Sequence, residues 1–301
     1  MRSSPQKKIG FIGLGAMGKF MAINIAKAKF PLLVYDLRKE PLAEMEKLGS
    51  RSVGSARELG SKSDTVVVMV RTYTQIKRAV FPPEGVLGGM QKGSTLIVTS
   101  TISPLEVQEV EKVARENGVA VIDAPVSGGC ERAQDGTLIL MVGGDAKVIN
   151  DNEDVLKAMG KYIYHVGGVG QGQTVKMINQ LLVAVNIAAT AEAMVLAKKL
   201  NMNLPVLVDI ISKSVGDSLI WRTKAPLIIA SDFQAKGALS SLTKDTRIIM
   251  DTGMKLGVPL PLTSVIYQLF QWAEIQGLGD LDGSAIVKLF EEFARIKVSD
   301  R

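Results

Sequence analysis

Two hydrophobic rhythms divide the chain. Up to about residue 166, short apolar runs rich in β-branched residues alternate with stretches at helical spacing. The runs lie at 8–12, 32–35, 65–70, 95–98, 119–122, 138–142 and 162–165, and the helical stretches include 17–29 and 104–117. Strand alternating with helix predicts a parallel sheet covered on both faces. The stretch 104–117 carries its own start signal: Ser103 suits the cap, and Pro104 fits a first turn that does not need its missing N–H. After Gly172 the β-rich runs stop, and helical spacing takes over at 174–200, 204–212, 242–256, 261–276 and 284–293. Gly167-Gly168-Val169-Gly170-Gln171-Gly172 separates the two textures. The chain therefore reads as an α/β domain over 1–170 followed by an all-α domain over 171–301.

Composition narrows the function classes. A chain of 301 residues, 47% hydrophobic and 22% charged, suits two globular domains and excludes collagen-like and disordered classes. One Cys and one His rule out an internal disulfide and a His-rich or thiolate metal site, so no metal is expected. Acid/base chemistry is left to Lys, Asp, Glu or Tyr. The formal charge of +6 is spread along the chain with no basic run interleaved with aromatics, so nucleic acid is not an expected partner. The apolar run 177–197 is interrupted by Asn179, Gln180, Asn186, Thr190 and Glu192, which argues for a buried helix rather than a membrane span. With a polar start over residues 1–8 and little Cys, a cytoplasmic location is expected.

Residues 8–12 lead directly into Gly13-Leu14-Gly15-Ala16-Met17-Gly18, which opens a helix. In a dinucleotide-binding turn Gly13 makes the tight bend, Gly15 admits a pyrophosphate against the backbone, and Gly18 lets helix and strand pack closely. The free N–H groups of the helix start then face the phosphates. Asp36 closes the next strand about twenty residues on, where a partner for a ribose 2′-OH belongs. A carboxylate there favours NAD, but Arg38 nearby leaves NADP open. These residues make the first domain an NAD(P)-binding Rossmann domain.

Two stretches carry candidate chemistry. Asp123-Ala124-Pro125-Val126-Ser127-Gly128-Gly129 follows a strand, at the sheet end where ligands of open α/β folds bind. Ser127 with the N–H groups of Gly128 and Gly129 suits a carboxylate, and the same spacing suits an ordinary strand-exit turn. In the helix that follows Gly172, Lys176, Asn179 and Gln180 stand at i, i+3 and i+4 and so share a face. A Lys desolvated there has a lowered pKa and can exchange a proton with an alcohol; one near a helix start can also snorkel to solvent. His165 reads as structural and Cys130 as a partly buried thiol.

Together these segments resemble the β-hydroxyacid dehydrogenase family, over nearly the whole chain and in the family's order. The resemblance continues through Leu242-Thr243-Lys244-Asp245 and Pro259-Leu260-Pro261-Leu262-Thr263. It implies NAD(P)-dependent interconversion of a small anionic 3-hydroxy acid and its semialdehyde or keto acid. Lys176 and Asn179 would be catalytic, and Ser127, Gly128, Gly129 and Gln180 would hold substrate. The cofactor would be held by Gly13, Leu14, Gly15, Ala16, Met17, Gly18, Asp36, Val70, Arg71, Thr101 and Lys244. The pair Asn179-Gln180 resembles the tartronate semialdehyde reductase branch. Arg132 and Arg222, at positions where the family differs, can hold a second anionic group or lie as solvated charges. Imine reduction on a related fold, and a cofactor-binding relative without turnover, are the alternatives; the Lys at 176 argues against the first. An apolar central helix points to a homodimer or homotetramer.

Overall fold

A computed structural model describes residues 7–299. The chain divides into two compact units, one ending at Lys176 and one beginning at Met177, so the division falls inside a single helix.

Among the described residues of the first unit, nine strands form one sheet: β1 Ile9–Ile12, β2 Leu32–Tyr35, β3 Arg51–Ser52, β4 Thr65–Val68, β5 Thr95–Val98, β6 Ala120–Asp123, β7 Val126–Ser127, β8 Leu138–Gly143 and β9 Gly160–Gly167. Their order is β3-β2-β1-β4-β5-β6-β8-β7, with β9 also on β8. The crossovers from β1 to β6 carry α1 Gly18–Lys27, α2 Lys39–Lys47, α3 Ala56–Ser61, α4 Tyr73–Val80 and α5 Pro104–Glu116. Three short helices follow: α6 Gly129–Gln134, α7 Ala146–Asp151 and α8 Glu153–Met159. Side-chain alternation along the strands builds a core on each face. Phe11, Val67, Ile97 and Ile122 pack with Met21 and Ile25 of α1. Ile12, Val66, Val68, Leu96 and Val98 pack with Leu59 of α3 and Val107 and Val110 of α5 on the other face. Each such fully buried side chain contributes roughly 1.5–3 kcal/mol.

All pairings from β3 across to β6 are parallel. The expected parallel sheet is found there, and beyond β6 the strand β8 runs antiparallel to β6 and β7 and parallel to β9. Only about ten residues join β7 to β8, fewer than the dozen or so that a parallel crossover needs. The stretch after Asp123 consequently folds back on β8, with Val126 opposite Leu140 and Ser127 opposite Ile139.

The second unit holds most of α9 Gln171–Lys199, then α10 Leu204–Ile211, α11 Leu219–Ala230, α12 Leu239–Leu256, α13 Pro261–Ala273 and α14 Val287–Ala294. Its core gathers Ala191 and Met194 of α9, Trp221 and Ala225 of α11, Phe270 of α13 and Leu289 of α14. The spacing did not predict α11, because Pro226 lies inside it and obscures the pattern, although Ser218 caps it by accepting the Trp221 N–H. The predicted helix 261–276 gives way to a π turn at Glu274–Leu278, where Gly277 takes φ +81°. By length and composition alone α9 is long and apolar enough to cross a membrane. A core helix passes the same test, and this one carries Lys176, Asn179 and Gln180 along its length.

Candidate active site

The carboxyl ends of β1 and β4 meet where the strand order reverses, the crevice in which open α/β sheets bind ligands. Gly13 lies there at φ +92°, and a Cβ on it would run into the Met69 carbonyl oxygen. A Cβ on Gly18 would meet the Gly13 carbonyl, so α1 is pressed onto the turn. Around Gly15 a Cβ would find nothing within 4 Å. The turn is thus packed at both ends and open in the middle. Met17 occupies the cap position of α1 without a side-chain capping bond, and the Lys19 N–H of the first turn donates to the Gly15 carbonyl at 3.0 Å. These features fit a dinucleotide pyrophosphate.

Asp36 accepts the Leu14 N–H at 2.7 Å and the Arg38 N–H at 2.9 Å. The Arg38 guanidinium forks onto it, with Nε 3.0 Å from Oδ1 and Nη2 3.1 Å from Oδ2. Burial raises the Asp36 carboxyl and the donors from Arg38 and Leu14 lower it, leaving it below its usual value. The segments after β4 and β5 are tied by the Val70 N–H, which donates to Ser100 Oγ at 2.8 Å. Arg71 is exposed, its N–H bonded to Gln75 Oε1 at the capped start of α4, and Thr101 is half-buried beside Ser100. Gly13 to Gly18, Asp36, Val70, Arg71 and Thr101 therefore all lie at the same end of the sheet.

On the other side of β5, Ser127 is half-buried, and Gly128 and Gly129 are exposed with φ +137° and +70°. The methylene stem of Arg132 lies where a Cβ on Gly128 would be, so its exposed guanidinium stands beside this loop. Arg222, in the second unit, pairs through Nε with Asp217 at 3.3 Å. His165 sits with Nε2 3.1 Å from the carbonyls of Gly144 and Gly167, a backbone tie at the end of β9. Burial, with Glu131 adding to it, raises the Cys130 thiol and keeps it protonated.

Lys176 is buried, at 8% exposure. About one turn of helix carries it with Asn179 and Gln180 on one face of α9. Within the second unit Asn179 Nδ2 donates to Gln180 Oε1 at 3.0 Å, Gln180 Nε2 donates to Asp245 Oδ2 at 2.5 Å, and Lys244 Nζ lies 2.8 Å from Asp245 Oδ1. Asp245 thus joins Gln180 to Lys244. Sequence reasoning assigned no role to Asp245, Asp123 or Gln173. An acid at the end of a strand and a Gln at the start of a helix produce no spacing signal until the fold brings them together.

Residues 8–167 match the family described as the NAD binding domain of 6-phosphogluconate dehydrogenase. Residues 170–290 match the one described as NAD-binding of NADP-dependent 3-hydroxyisobutyrate dehydrogenase. Among curated proteins, the chain is 36% identical to 2-(hydroxymethyl)glutarate dehydrogenase of Eubacterium barkeri, over 97% of each chain. It is 36% identical to L-threonate dehydrogenase of Cupriavidus necator, over 94% of this chain and 96% of that one. Among solved structures, Mycobacterium tuberculosis 3-hydroxyisobutyrate dehydrogenase with L-serine is 31% identical, covers 95% of this chain and 99% of that one, and superposes with a TM-score of 0.88.

Proposed function

Because the chain belongs to the β-hydroxyacid dehydrogenase family, we propose that it interconverts a small polar 3-hydroxy acid and its semialdehyde or keto acid. The protein is an NAD(P)-dependent hydroxyacid oxidoreductase. The bound nicotinamide supplies or accepts the hydride. Lys176 carries the proposal: its side chain is held at 8% exposure on a helix face shared with two amides, which keeps a group able to exchange a proton away from bulk water. It exchanges a proton with the substrate oxygen, and Asn179 orients that exchange. The Ser127 hydroxyl and the N–H groups of Gly128 and Gly129 hold the carboxylate, with Gln180 on the remaining oxygens. Gly13, Leu14, Gly15, Ala16, Met17 and Gly18 cradle the pyrophosphate, Asp36 takes the ribose, and Val70, Arg71 and Thr101 line the nicotinamide side. Lys244 is assigned to the cofactor on the family likeness.

A polar substrate is preferred to 3-hydroxyisobutyrate. Arg132, whose stem lies against Gly128 in the loop assigned to substrate, suits a second carboxylate or a hydroxyl rather than a methyl group. The names of two relatives, one acting on a dicarboxylate and one on a sugar acid, support this choice. The cofactor domain is assigned to 1–170 and the helical domain to 171–301, in a cytoplasmic homodimer or homotetramer. Val175, Ile178, Leu182 and Leu196 form an exposed apolar stripe along α9 that a second subunit would cover. The test compares kcat/KM for D-glycerate, L-threonate and 3-hydroxyisobutyrate, with the matching esters as controls. The polar acids should lead and the esters should fail. Equal rates on acid and ester would remove the carboxylate site, and a preference for 3-hydroxyisobutyrate would remove the polar pocket.

A further inference from the structure

We propose that Asp123 and Gln173 are positioning residues for Lys176, locking the first turn of α9 onto the segments that follow β5 and β6. The proposal rests on Lys176 as the proton-exchanging group.

Both side chains are fully buried, at 0% exposure. Asp123 Oδ2 accepts the backbone N–H groups of Gly170 and Gln173, each at 3.0 Å. Its Oδ1 accepts Gln173 Nε2 at 2.9 Å. The same Nε2 donates to the Ser100 carbonyl at 2.9 Å, and Gln173 Oε1 accepts the Ile102 N–H at 3.1 Å. Each carboxylate oxygen, the amide oxygen and both amide hydrogens are thereby engaged. The helix start is also pressed close: a Cβ on Gly172 would meet Asp123 Oδ2 at 2.9 Å. Ser100 and Ile102 flank Thr101, Asp123 opens the strand-turn that leads to Ser127, and Lys176 stands one helical turn beyond Gln173. One buried pair therefore joins the segment assigned to cofactor, the segment assigned to substrate and the helix that carries the ammonium.

Stability alone does not account for this pair. A well-packed apolar pair of the same volume is often as stable as a buried polar one, whereas a fully satisfied polar node admits a single geometry. Burial pushes the Asp123 carboxyl up to about 6, against the lowering effect of the Gln173, Gly170 and Gly172 N–H groups. Neither oxygen is open to a substrate, so Asp123 acts through the helix it holds.

Asp123→Asn breaks the node in either amide orientation of Gln173. With its oxygen on the two backbone N–H groups, the new NH2 faces Gln173 Nε2. Turning Gln173 over then sets its oxygen against the Ser100 carbonyl and its NH2 against the Ile102 N–H. Gln173→Leu keeps the volume and removes the link. Displacement of a reacting group by about 1 Å can lower a rate about a hundredfold, so each variant should lower kcat about ten- to a hundredfold. The decisive measurement is a cycle with Lys176→Met, read as single-turnover hydride transfer at high enzyme concentration. If Asp123 and Gln173 act through Lys176, their effect should shrink to within about twofold in that background. Hydrogen exchange of the intact protein should quicken over residues 170–176 while the strands of the sheet stay protected. Gln173→Leu answers alone if Asp123→Asn does not fold. Equal losses in both backgrounds, or wild-type kcat and exchange in Gln173→Leu, would overturn the proposal and leave Lys176 in its role. Retained turnover in Lys176→Met by itself would instead overturn the acid/base assignment.

Discussion

Arg38 forks onto Asp36, with Nε 3.0 Å from one carboxylate oxygen and Nη2 3.1 Å from the other. The Asp36 side chain is 9% exposed and that of Arg38 is 57% exposed. The carboxylate is therefore fixed and the guanidinium is free to swing. On the proposed assignment Asp36 would face a ribose hydroxyl of NAD, and Arg38 would leave it to meet a 2′-phosphate. Asp36→Ala should raise the ratio of kcat/KM for NADP over NAD at least about tenfold by removing like-charge repulsion. Arg38→Ala should lower NADP use and leave NAD use nearly unchanged. Wild-type preference for NADP would show that Arg38, not Asp36, governs the choice.

The glycine turn separates binding from folding. Gly15 has open space where a side chain would go, whereas Gly18 faces the Gly13 carbonyl. Gly15→Ala should keep the wild-type Tm and weaken NAD binding at least about tenfold, because the new methyl occupies the phosphate's place. Gly18→Ala should instead lower Tm by several degrees, consistent with an overpacking cost of about 1–3 kcal/mol. Differential scanning calorimetry and a fluorescence titration with NADH distinguish the two. Normal NAD binding in a folded Gly15→Ala would place the pyrophosphate elsewhere.

In the second unit Lys224 Nζ lies 2.8 Å from both oxygens of Asp282, which is fully buried and also accepts the N–H and hydroxyl of Ser284. Burial raises the Asp282 carboxyl, but Lys224 and Ser284 outweigh it and hold it below its usual value. A carboxylate with a depressed folded pKa stabilises the protein above the unfolded pKa, and that stability is lost as pH falls through the folded value. Asp123 has the opposite sign. Its folded pKa of about 6 exceeds the ordinary carboxyl value of 3.8, so its protonated form favours folding and stability falls as pH rises between the two. Lys224→Met should leave a buried charge unpaired and destabilise the protein by about 3–5 kcal/mol at neutral pH. The loss should shrink at acid pH as Asp282 is protonated. Urea unfolding at several pH values measures both slopes, and a pH-independent loss would contradict the pairing.

The strands of the parallel part were legible because their apolar runs are short and bounded: the predicted 32–35 and 95–98 are the observed β2 and β5. The Gly-x-Gly-x-x-Gly turn and Asp36 were legible because a fixed chain spacing brings them together locally. What escaped depends on contacts distant in sequence or on broken patterns. β7 is two residues long and exists only because β8 returns beside it. α11 is interrupted by Pro226, and the tie between Asp123 and Gln173 spans fifty residues of chain. Lys176, Asn179 and Gln180 could be placed on one face from the helical period. The burial of Lys176 could not, because the period fixes which residues share a face and not what packs on it.

Lys176 as the proton-exchanging group is the central claim, and its most direct test is the turnover of Lys176→Ala with a polar 3-hydroxy acid and NAD. Lys176 lies on α9 and is not among the residues assigned to NAD, so the variant should bind NAD as the wild type does. Its kcat should fall by about 10²–10⁴-fold, the range that a positioned acid/base contributes. Wild-type kcat in a folded, NAD-binding Lys176→Ala would contradict the account.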